Sequence, residues 1–131
     1  MNVELFELIN NSFPEVKIQF IDHFLSSAIT SRNKELVNYL LNNGAPIKNG
    51  LFLAVSKGFI DIVDIILKYF NKPSFVNKNS IDGTILHVAI NNSDVLMVKR
   101  ILKIPEINPL LYNNERKSAL YLAILSKNME I

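Results

Sequence analysis

Residues 82–102 read DGTILHVAINNSDVLMVKRIL, and this stretch decides the fold. It opens on Leu86, His87, Val88 and Ala89, breaks at the small polar run from Asn91 to Asp94, and resumes as a second apolar-periodic stretch at Val95. Two short helices and a turn satisfy that pattern, because apolar residues three and four apart share one helix face. Working outward, the pattern recurs, which is the mark of a repeat architecture. Residues 51–67 read LFLAVSKGFIDIVDIIL, residues 25–47 read LSSAITSRNKELVNYLLNNGAPI, and residues 120–131 read LYLAILSKNMEI. Residues 5–21, LFELINNSFPEVKIQFI, fit with Leu8 in place of the alanine.

Ala28, Ala54, Ala89 and Ala123 mark the units at spacings of 26, 35 and 34 residues, close to the period of helical solenoids apart from the first step. In the unit that starts at Leu51, Ile62, Ile65, Ile66 and Tyr69 place an apolar stripe on the second helix. Gly58 separates the two helices, where the chain must turn without a Cβ clash. Asn43-Gly44 ends the second helix of the preceding unit at a left-handed cap. The chain from Leu41 to Leu51 is too short for a full hairpin, so a clipped connection is predicted there. Ile21 to Leu25 is shorter still, and Asp22 reads as the N-cap of the helix that follows.

These units resemble the ankyrin repeat family, whose pattern is D-x-x-G-x-T-P-L-H-x-A-A-x-x-G-H, then a V-x-x-L-L helix and G-A-D-V-N. The structural motif is best matched by Asp82, Gly83, Thr84, Leu86, His87 and Ala89, followed by Val98, Ile101 and Leu102. Leu36-Val37 through Leu40-Leu41-Asn42-Asn43-Gly44-Ala45-Pro46-Ile47 resembles the outer helix and its exit, and Val76-Asn77 and Ile107-Asn108 resemble the hairpin valine-asparagine pair. The resemblance implies an all-α solenoid of helix-turn-helix units with short β-hairpin or loop fingers. It is read as a single domain over residues 1–131. Residues 1–22 form an N-terminal capping helix pair or degenerate repeat, residues 23–48, 49–82 and 83–116 form repeats, and residues 117–131 form an incomplete terminal repeat. Two departures bear on the fingers: Arg116 stands where the family places its hairpin glycine, and Gly83 is one position late. Met129-Glu130-Ile131 would open the second helix of the last unit. The expectation is therefore either a piece of a longer protein or a terminal face with Leu120, Leu122, Ile124 and Leu125 partly uncovered.

Composition bounds the function. The 131 residues are 49% apolar, enough for the core of one domain, and 14 basic residues against 12 acidic give a net charge of +2. That balance lacks the basic stripe of a nucleic-acid binder; Lys99, Arg100 and Lys103, and Arg116-Lys117, read as solvated clusters. Phe52, Phe59, Tyr69 and Phe70 read mainly as core, with Phe52 and Phe59 bordering the groove. Without cysteine there is no disulfide framework, thiol catalysis or Cys-based zinc site. Glu4 stands where a signal peptide carries positive charge, and no apolar run approaches the about 18 residues of a spanning helix. An intracellular, cytoplasmic location without membrane insertion is expected.

The two histidines are the first candidates for chemistry. His87 follows Asp82 and Thr84 at short spacings, but neither a nucleophile nor an oxyanion motif accompanies it. The resemblance implies instead that Thr84 and His87 bond each other and loop backbone. His23 precedes Ser26 and Ser27 at helical spacings, and the serines read as small residues on a packed inner helix. No phosphate loop, zinc-protease, nucleophile-elbow or EF-hand pattern is present. No catalytic residue, cofactor or metal is expected. The resemblance implies a rigid concave surface for a partner protein, built from the inner-helix ends Thr30, Ser31, Ser56, Lys57, Asn91, Asn92, Leu125 and Ser126 and the finger residues Asn79, Ser80, Asn113 and Glu115. The alternative is a targeting domain of a larger enzyme, channel or effector that continues past residue 131. Self-association through the uncapped C-terminal end is a further expectation.

Overall fold

The apolar stripes fold as helices, and in a computed structural model residues 3–12, 14–69, 76–77 and 83–126 are described. The first of two units, Met1–Phe70, contains α1 (Val3–Ser12), α2 (Pro14–Thr30), α3 (Lys34–Asn42), α4 (Ile47–Lys57) and α5 (Ile60–Lys68). α2 pairs with α3 and α4 with α5, while α2 packs on α4 and α3 on α5, giving an inner and an outer layer; α1 lies against α2 and α3. The outer helices follow the 3.6-residue period closely: α3 buries Leu36, Val37, Leu40 and Leu41, and α5 buries Ile62, Val63, Ile65 and Ile66. Each such side chain contributes about 1.5–3 kcal/mol on leaving water.

α2 runs unbroken through Asp22, which corrects the reading of that residue as an N-cap. The helix starts instead at Pro14, whose missing N–H has no partner to lose in a first turn and whose φ is already helical. Nothing in Ile21-Asp22-His23 breaks a helix, so the expected boundary at residue 22 falls inside one. Ser26 and Ser27 are exposed rather than packed.

Inner and outer helices meet at one recurring turn. In α2, Arg32 N–H donates to Ile29 O at 2.9 Å and Asn33 N–H to Ala28 O at 2.9 Å. In α4 the pair is Gly58 to Val55 and Phe59 to Ala54, at 3.1 and 3.0 Å. This double closure satisfies carbonyls that a helix end leaves orphaned, and it needs a left-handed residue just past the end. Arg32 and Gly58 supply it, at φ 55° and 75°. Ala28 and Ala54, the repeat markers, are the buried residues whose carbonyls close the turn. Asn33 then accepts from Leu36 N–H at 3.1 Å and starts α3, so one short segment ends a helix and begins the next.

On the opposite side α3 ends at Asn42, Gly44 (φ 94°) turns the chain just past it, and Asn43–Pro46 alone connect it to α4. The connection is clipped, as the short distance to Leu51 predicted. Gly50 lies buried inside α4, and a Cβ there would stand 3.0 Å from Leu25 Cδ2 and 3.3 Å from Ile29 Cδ1. Its bareness lets α2 and α4 approach closely.

The second unit, Asn71–Ile131, contains α6 (Ile85–Asn91), α7 (Val95–Leu102) and α8 (Ala119–Leu125), with α6 packed on both others. The same turn joins α6 to α7: Ser93 (φ 54°) donates to Ile90 O, Asp94 donates to Ala89 O, and Asp94 then caps Met97 N–H at 3.2 Å. Between α7 and α8 the finger closes through a single antiparallel bridge, Tyr112 to Ser118, in place of a full hairpin ladder among the described residues. Leu120, Ile124 and Leu125 of α8 are exposed and Leu122 is half-buried.

Candidate functional site

The expected inner-helix ends of α2, α4 and α6 lie at the recurring turns, and Leu125-Ser126 lie at the end of α8. Thr30, Ser31, Ser56 and Lys57 in the first unit are exposed, as are Asn91, Asn92, Leu125 and Ser126 in the second. Several hydroxyls also serve their own helix ends: Ser31 Oγ donates to Ser27 O at 2.9 Å, Ser56 Oγ to Leu53 O at 3.2 Å, and Ser126 Oγ to Ala123 O at 2.7 Å. Thr30 and Ser31 join His23, Ser26 and Ser27 around an open hollow of ≈ 380 Å³ on α2. Asn79 and Ser80, with Asp82 of the structural motif, lie outside the described residues.

Of the remaining finger residues, Asn113 is the hub of its own turn. Its N–H donates to Lys117 O at 2.9 Å, its O accepts from Arg116 N–H at 3.0 Å, and its Oδ1 accepts from Glu115 N–H at 2.9 Å and Lys117 N–H at 3.0 Å. A side chain used in this way shapes the finger more than it meets a partner. Glu115 is exposed and lies 3.2 Å from Lys117 Nζ.

Thr84 and His87 hold the start of α6. Thr84 Oγ1 accepts from His87 N–H at 3.5 Å, and Thr84 N–H donates to His87 Nδ1 at 3.0 Å. An Nδ1 that accepts leaves the ring proton on Nε2, which donates to Lys117 O at 2.9 Å and ties the helix start to the finger. The ring is fully buried with both nitrogens engaged, so it presents no base to a substrate. Gly83 explains its own position: at φ 95°, its missing Cβ would stand 2.7 Å from His87 Cγ. The glycine sits where the imidazole needs room.

A charged cluster in the first unit escaped the sequence reading. Arg32 Nη2 donates to Asp61 Oδ2 at 2.8 Å, Lys34 Nζ lies 3.0 Å from the same oxygen, and the Arg32 guanidinium stands 4.6 Å from the Phe59 ring centroid. Burial pushes the Asp61 carboxyl up, but hydrogen bonds from Arg32, Lys34 and the Ile62 N–H, with the charge of Arg32, outweigh it and hold the pKa at about 2. The partners are 29 residues apart in sequence, so no local spacing signals the pair. The cluster braces the α2–α3 turn against α5.

Among the described residues, no group of three histidine, aspartate or glutamate side chains is placed to hold a metal ion, and no helix is long and apolar enough to cross a membrane. A family model described as ankyrin repeats (3 copies) matches residues 51–131. No curated protein matches the chain.

Proposed function

The chain belongs to the ankyrin repeat family, and on that premise we propose that it is a non-enzymatic module that binds a partner protein through the ends of its inner helices and through its fingers. Ankyrin repeats are a general protein–protein interaction module. The observation that carries the reading is the repetition of one rigid turn. At Arg32, Gly58 and Ser93 the same pair of backbone hydrogen bonds fixes the segment that follows Thr30-Ser31, Ser56-Lys57 and Asn91-Asn92. Exposed side chains on preordered backbone lose little conformational entropy on association, so a few contacts suffice. The module is proposed to act in the cytoplasm, where a cysteine-free chain needs no oxidising environment.

The test compares three proteins as bait in extracts of the cells that make the chain: the unaltered protein, a variant with Ser56, Lys57, Asn91 and Asn92 replaced by alanine, and a control with Lys68, Lys99 and Lys103 replaced. The first and third are expected to retain a common partner that the second loses, with unchanged circular dichroism throughout. Loss only in the control would move the site to the outer helices.

A further inference from the structure

The finger of the second unit carries groups that the inner-helix ends do not use. Tyr112, Glu115, Arg116, Lys117, Ser118 and Tyr121 line a hollow of ≈ 440 Å³, within the size range of pockets that bind small molecules or side chains. Glu115 and Lys117 pair with each other at 3.2 Å, so their charges cancel, and Ser118 Oγ accepts the Tyr121 N–H at 3.1 Å. The Arg116 guanidinium and the Tyr112 and Tyr121 hydroxyls take no partner among the described residues. Both tyrosines are exposed, at 65% and 46%.

The backbone supplies a second, independent observation. Arg116 is held at φ 61°, a conformation that glycine adopts at lower cost and that a bulky residue keeps only where its surroundings over-determine it. Asn113 does so with its hydrogen bonds to residues 115–117. The root of the arginine is fixed while its charged head is free.

We propose that this hollow receives a carboxylate side chain from an acidic peptide segment of the partner, with Arg116 as the anchor and the rings of Tyr112 and Tyr121 as walls. The proposal rests on the reading of the chain as a protein-binding module and adds the chemistry of one contact. A planar guanidinium binds a carboxylate through two parallel hydrogen bonds, and arginine and tyrosine are the residue types that concentrate binding energy at interfaces. One uncompensated positive charge matches one carboxylate. A phosphate dianion or a nucleic-acid backbone calls for several cations.

The experiment uses the full chain as bait for a displayed library of random 12-residue peptides, followed by titration with synthetic copies of the selected sequences. Selected peptides are expected to be rich in Asp and Glu. They are expected to bind at least about tenfold more weakly to Arg116→Gly, a variant whose backbone is compatible with this turn, and to lose as much when their acid is replaced by the amide. Arg116→Lys, which keeps the charge but not the fork, should fall between the two. No selected peptide, no enrichment of acids, or equal binding to Arg116→Gly overturns the proposal. Peptides that instead depend on Ser56, Lys57, Asn91 and Asn92 also overturn it, while upholding the wider reading of a binding module. Preference for phosphorylated versions of the peptides would replace the carboxylate with a phosphate and defeat the charge argument.

Discussion

At the level of single residues, three positions carry strain or relief that can be measured. Gly83 combines φ 95° with the 2.7 Å approach of its virtual Cβ to the His87 ring, so Gly83→Ala should lower stability by about 2–4 kcal/mol in urea unfolding, through backbone strain and overpacking together. His87→Ala leaves the Lys117 carbonyl and the Thr84 N–H without their partner, and about 1–3 kcal/mol should be lost. Ser93 occupies the left-handed position that Gly58 fills without penalty; Ser93→Gly is expected to raise stability by about 0.5–1 kcal/mol, and a decrease would show that the serine side chain holds the turn. The pairing of Thr84 with His87 was legible through the family resemblance, its partners lying three residues apart. The Lys117 contact was not, since nothing local links residues 30 apart. Gly83 looked misplaced in sequence because the requirement it meets is the volume of a ring, which spacing does not encode.

Among the elements, the outer helices α3, α5 and α7 were legible because one buried face repeats every three to four residues. The unbroken course of α2 was not, because an acid in mid-helix and an acid at a cap look alike until the preceding residues are placed. Gly50 was missed for a similar reason: its role is a distance between α2 and α4. Gly50→Val should cost about 1–3 kcal/mol by forcing Leu25 and Ile29 aside, read as a lower urea midpoint with an unchanged slope. The Asp61 cluster gives a pH-dependent counterpart. Its folded pKa of about 2 lies below that of the unfolded chain, so the stabilisation is complete above the unfolded carboxylate value of about 3.9 and fades as pH falls towards 2. Arg32 and Lys34 are more than half exposed, so solvent screening reduces the contribution to about 1 kcal/mol. Asp61→Asn should therefore lower stability by about that much at pH 7 and by only a small part of it near pH 2. A penalty that persisted unchanged at pH 2 would mean that packing, not charge, is lost.

For the whole molecule, the principal packing partners among the described helices are, within each unit, one or two places apart in the chain. Such local wiring closes short loops first, and the main refolding phase in stopped-flow fluorescence is expected within about milliseconds; a main phase lasting seconds would contradict it. The repeat period made this architecture readable before any helix was assigned. The finger between α7 and α8 was less readable, because it is closed by the side chain of Asn113 and one bridge in place of a strand ladder. The turn shared by α2, α4 and α6 also decides where the chain can change length. Because Asn33 and Asp94 each donate their N–H to close one helix and accept with their side chain the cap bond of the next, an extra residue inserted there would misalign both. The step of 26 residues from Ala28 to Ala54, against 35 from Ala54 to Ala89, is absorbed on the other side, where Asn43–Pro46 replace the longer passage from α5 to α6. Insertions and deletions are thus confined to the finger side, which makes those connections the places to graft foreign loops or open new termini, and the helix-joining turns the places to leave untouched.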